Sequence, residues 1–293
     1  MTLGCAAALA LAAIPVTRVA GDGEAAKGAV FLREGESVTL AEEGAARWSI
    51  LDPAPADYDN VTACGPFGPS RGCAAPIRYV ERALPALDGR ARVDTSDVAE
   101  LGTPGTHLLL ARGVHDTGPA TPTDAVQVVV RRDDGYVGRL TELLGVPFVL
   151  GPARLPDIGH QTDARLGADC VALVVYGRRR LGEPVPYAAP ARLHGWLTKV
   201  TAAPALVCPD GSFAELAGVR EGDVLHFGFQ TAVVSRDRPP LGILDPGDLV
   251  IHTYHRLAEE RPVGALPYAR HPVEVLRWPG VTNARATALQ ESP

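Results

Sequence analysis

Between residues 25 and 132 the chain breaks into apolar runs of four to six residues separated by turn signals: Ala29–Leu32, Ser37–Leu40, Ala46–Leu51, Ile77–Val80, His107–Leu110 and Ala125–Val130. Runs this short do not sustain helices, and several are rich in Val, Ile, Thr or aromatics. Their spacing predicts an antiparallel β-sandwich-like domain over 25–132. The pattern changes at Asp133-Asp134-Gly135. Tyr136–Leu144 places Leu140, Leu143 and Leu144 at helical spacing, and a second apolar stretch opens at Asp169-Cys170 and runs through Tyr176 to three arginines before Gly182. Asp169 is suited to cap that helix. The chain is therefore expected to be α+β, with a second domain over 133–293.

The N-terminus is read as an export segment over residues 1–24. Leu3 to Val16 is uncharged, which fits the apolar part of a signal peptide and falls short of the roughly 20 residues of a membrane span. The basic residues that usually precede such a region are missing, so the natural start is expected upstream of Met1. The mature protein is expected to be periplasmic or associated with the cell envelope, without a stable transmembrane span.

Charge excludes one class of partner. Lys+Arg total 28 against 34 Asp+Glu, a formal net charge of −6, so no global field attracts nucleic acid. The one dense basic run, Arg178-Arg179-Arg180, is expected to be a solvated helix end.

Export changes the meaning of the five cysteines. Cys5 lies in the export segment. Cys64 and Cys73 flank a Gly/Pro-rich loop and are expected to form a disulfide. Cys170 and Cys208 either pair with each other or leave one working thiol. At the first turn of its helix Cys170 is placed where the dipole and unpaired amides favour a thiolate, as in a nucleophile. The competing reading is a small buried residue that packs like alanine. No metal site is expected. His252 and His255 fall on opposite faces of a strand, and His255 is expected to face solvent.

Five segments in order extend the reading of Cys170: Gly145-Val146-Pro147-Phe148-Val149-Leu150-Gly151, Asp169-Cys170-Val171-Ala172-Leu173-Val174, Gly222-Asp223-Val224-Leu225-His226-Phe227, Gln230-Thr231-Ala232-Val233-Val234 and Leu249-Val250-Ile251-His252. Over roughly residues 136–278 this series resembles the NlpC/P60 family of papain-like cell-wall cysteine peptidases. The resemblance implies that Cys170 attacks an amide carbonyl to give a thioester, while amides at the helix start hold the oxyanion. It implies that Asp169 and Phe148 flank the substrate, Phe148 standing where the family has a tyrosine. His252 matches the family's orienting polar residue, and Gln230 stands where the general base is expected. A glutamine cannot take the thiol proton, so the base is expected to be His252, with Gln230 orienting it, or His226. His226 would be kept near Gln230 by a short turn at Gly228-Phe229, or would share a face with it if 224–230 were instead one strand. The function implied is an exported cysteine hydrolase of peptidoglycan peptides or another amide, without a cofactor. The alternative is an inactive relative that binds peptidoglycan or a protein partner.

Overall fold

The computed structural model describes residues 17–18, 25–26, 28–42, 44–54, 77–155 and 158–280. Cys5, Cys64, Cys73 and residues 1–16 of the expected export segment lie outside the described residues. The fold is mixed α+β, mostly strands in several antiparallel sheets with few helices.

The short apolar runs of the first half are strands. They fall on β3 (Ala29–Arg33), β4 (Thr39–Ala41), β5 (Arg47–Pro53), β6 (Tyr79–Ala83), β8 (Gly105–Arg112) and β9 (Val126–Arg131), and the described residues add β1 (Thr17–Arg18), β2 (Ala25–Ala26) and β7 (Arg92–Asp94), which no run marked. One sheet has the order β2-β3-β9-β8-β5-β6 and a smaller one β1-β4-β7. Leu32, Trp48 and Leu109 from the large sheet share one core with Leu40 and Val93 from the small one, so two layers close over a common apolar interior. The buried Trp48 indole N–H donates to the Arg90 carbonyl at 2.8 Å. The expectation of a wholly antiparallel arrangement is corrected at one pair. β3 and β9 run parallel, from Ala29 opposite Gln127 to Arg33 opposite Arg131. A parallel pair needs a long crossover, and here the chain from β4 to β8 supplies it.

The second half begins with α1 (Tyr136–Leu140), continued by a 3-10 turn at Thr141–Leu143. A small hairpin of β10 (Arg154–Leu155) and β11 (Gly159–His160) precedes α2 (Cys170–Arg180). The remaining strands are β12 (Thr198–Ala203), β13 (Leu216–Ala217), β14 (Val224–His226), β15 (Thr231–Arg236), β16 (Ile243–Leu244), β17 (Leu249–His252), β18 (Glu259–Pro262) and β19 (Val273–Arg277). Six of them form an antiparallel sheet, β12-β19-β14-β15-β17-β18. Alternation assigns its faces. Val233, Ile251 and Leu276 pack with both helices, whereas Ala232, Val250 and Val275 enter a second core on the other side. The helices approach closely at Gly177, where a Cβ would lie 2.7 Å from the Tyr136 ring.

The arginine run at the end of α2 is not a solvated face. Arg178 pairs with Glu183 and lies over the Trp278 ring. Arg179 pairs with Asp163 at 2.8 Å and Arg180 with the fully buried Glu142 at 2.9 Å. The last turn of the helix faces the protein, and each cation meets an acid there.

Candidate functional site

Asp169 starts α2. Its backbone is extended, and its carboxylate accepts the Ala172 amide at 2.7 Å and the Gly151 amide at 3.1 Å. This is a side-chain N-cap that also ties in the Gly145–Gly151 segment. Cys170 is the first helical residue, as the sequence indicates. Its carbonyl accepts the Thr231 hydroxyl at 2.8 Å, which fixes the helix start to the first residue of β15.

The thiol is far from a thiolate. Cys170 is 7% exposed, and burial pushes its pKa up to about 12, with the Asp169 charge acting in the same direction. Desolvation therefore outweighs the helix dipole, which was expected to lower it. Cys170 and Cys208 are both free thiols, which removes the disulfide alternative. Cys208 sits in a tight turn closed by its amide on the Ser212 carbonyl at 2.8 Å.

Cys170 opens on a cleft of about 460 Å³. One wall is the helix start, with Asp169, Val171 and Ala172; Gly151 and Pro152 form a second. The segment Tyr187 to Pro190 and the half-exposed Phe229 close it. Among the described residues no histidine lines this cleft.

The two candidate bases are engaged elsewhere. β14 ends at His226, which pairs with Thr231 across a tight turn closed by the Phe227 amide on the Gln230 carbonyl at 2.8 Å. Gly228 adopts φ +82° in that turn, a conformation that favours glycine. His226 and Gln230 thus stand on either side of a hairpin turn at Gly228-Phe229, the first of the two expected arrangements, and the single-strand alternative is corrected. The His226 ring packs edge-on to His194, with centroids 4.8 Å apart, and lies beside the Pro190 backbone. Gln230 is buried, donates to the Thr253 carbonyl at 2.7 Å and meets the Tyr268 hydroxyl.

His252 is 2% exposed. Its Nδ1 lies 3.0 Å from the Tyr268 hydroxyl, and its Nε2 lies 3.3 Å from Glu259 Oε1, a charge contact out of hydrogen-bond alignment. Burial lowers its pKa to about 4, and the Glu259 charge offsets this only in part. Burial disfavours the charged form of both groups, the Cys170 thiolate and the His252 imidazolium. Neither is poised as a resting nucleophile or base.

The lowered His252 pKa has a consequence for stability. Unfolding releases the imidazole to its ordinary value near 6.5, so below that pH the unfolded chain takes up a proton first. Its contribution is complete above pH 6.5 and is lost as pH falls toward 4, by up to about 3 kcal/mol. Urea unfolding over this range should show a smaller acid loss in His252→Gln than in wild type. Parallel losses in both proteins would refute the assignment.

Phe148 is buried and does not line the cleft; its ring lies 5.4 Å from that of His255. His255 is exposed in the turn after β17, with φ +54°, and shares no strand face with His252. Sequence reasoning missed Tyr187, Phe229 and Tyr268. Tyr187 stacks on His160 with centroids 3.7 Å apart and donates its hydroxyl to Asp163 at 2.6 Å. The Pro-rich stretch around Tyr187 carries no periodicity to mark it. Tyr268 sits beyond β18, distant in sequence from every motif.

The chain matches no family model, no curated protein and no solved structure among known proteins. Among the described residues no helix is long and apolar enough to cross a membrane.

Proposed function

We propose that residues 136–278 are a papain-like domain of NlpC/P60 type in an exported protein, and that it binds amide-linked cell-wall peptides in the Cys170 cleft without cleaving them. The observation that carries this reading is a buried thiol near pKa 12 in a cleft with no histidine among its described lining residues. The ordered motifs and the cysteine-bearing helix on an antiparallel sheet support the domain type. The cleft chemistry supports a peptide. Small apolar walls at Ala172, Ala188 and Ala189 suit alanine-sized side chains, and Tyr187 and Phe229 offer flat apolar contact.

The test is to incubate the full chain with purified peptidoglycan, measure co-sedimentation and analyse the peptide stems by mass spectrometry. Binding without shortened stems is expected, unchanged in Cys170→Ala. Phe229→Ala should weaken binding about tenfold, the effect of one lost aromatic contact. Stems shortened by wild type and not by Cys170→Ala would overturn this reading. They would establish instead the second one, an exported cysteine hydrolase, which draws on the place of Cys170 at the first residue of α2.

A further inference from the structure

His226 is directly opposite Glu274 across the β14–β19 pairing, so both side chains leave the same face of the sheet. His194 comes to them from the 3-10 turn Pro190–Gly195. One ligand atom from each of the three lies within 4.8 Å of the others. His194 Nε2 and Glu274 Oε2 are 3.4 Å apart, which is about the separation of two ligands held by one tetrahedral zinc ion at roughly 2.1 Å each.

A second observation is independent of that spacing. His226 is 6% exposed, and its Nε2 is buried with no hydrogen-bond partner. A buried ring nitrogen left this way costs stability unless something binds it. Contact with the Pro190 backbone, at the start of the turn that carries His194, holds the ring in place. Glu274 is held similarly, since Lys199 Nζ lies 2.6 Å from Oε1 and leaves Oε2 toward His194.

We propose that His194 Nε2, His226 Nε2 and Glu274 Oε2 bind a divalent transition-metal ion of the zinc class, with water at a fourth position. Two imidazoles and one carboxylate suit zinc better than calcium or magnesium, which take oxygen ligands. The ion would brace the turn that begins at Pro190, a residue of the Cys170 cleft wall. The assignment stands whatever that cleft binds.

The test is calorimetric titration of the tag-free full chain with zinc after chelator treatment and dialysis. One equivalent should bind. His194→Gln, at an exposed position that folding tolerates, and His226→Gln should each weaken binding roughly 100-fold or more, at least the effect known for outer-shell partners. Cys208→Ser should bind as wild type does. No saturable binding, or unchanged binding in both histidine variants, would overturn the proposal. So would loss of binding in Cys208→Ser, which would assign the ion to a thiol.

Discussion

Iodoacetamide should leave Cys170 almost unmodified in the folded chain at pH 7.5. Only the thiolate alkylates, and a group near 12 is ionised to about one part in 30,000 at that pH, whereas an ordinary cysteine near 8.5 is about one-tenth ionised. The folded protein should therefore react at Cys170 on the order of a thousandfold more slowly than the urea-unfolded chain, read by timed alkylation and peptide mapping. The expectation has a clear opposite. A nucleophilic cysteine at a helix start has a depressed pKa and reacts faster than a free thiol. Labelling of folded Cys170 at the unfolded rate or above would contradict the burial argument. It would also return the hydrolase to first place.

Glu142→Ala should destabilise the protein by about 3–5 kcal/mol, the range for removing one member of a buried charged group. Glu142 is fully buried after α1 and accepts from Arg139 Nη1 at 3.0 Å, Arg180 Nε at 2.9 Å and the Tyr176 hydroxyl at 2.6 Å. Truncation takes this shared acceptor from two guanidiniums and a buried hydroxyl. Glu142→Gln should fall between, since an amide oxygen still accepts from Tyr176 without balancing charge. Equilibrium urea unfolding measures both. A cost for Glu142→Ala below about 1 kcal/mol would show that the network is solvent-screened.

The elements were more legible in the sequence than their neighbours. Short β-rich runs mark β3, β5, β8 and β9 because strand periodicity is local. The pairing of β3 with β9 is invisible, since nothing in either run names a partner about a hundred residues away. Asp169 announces α2 for a local reason too, because a cap acts within one turn. The surroundings of Cys170 were not legible. Gln230 precedes β15 and His252 ends β17, its neighbour in the sheet. The destinations of their side chains are set by Thr253, Glu259 and Tyr268, which belong to no motif. His194, His226 and His252 illustrate the same limit. His194 has no sequence neighbour to suggest Glu274.

The arginines closing α2 bear on how this surface meets charged molecules. Glu183 follows the helix, Asp163 precedes it, and Glu142 comes from the turn after α1. Each cation is thus cancelled at close range by an acid from a different stretch of chain. A polyanion, whether a nucleic acid or an anionic wall polymer, gains little by approaching this end of the helix. The densest positive stretch in the sequence serves to fasten three segments together, and its field is spent inside the protein.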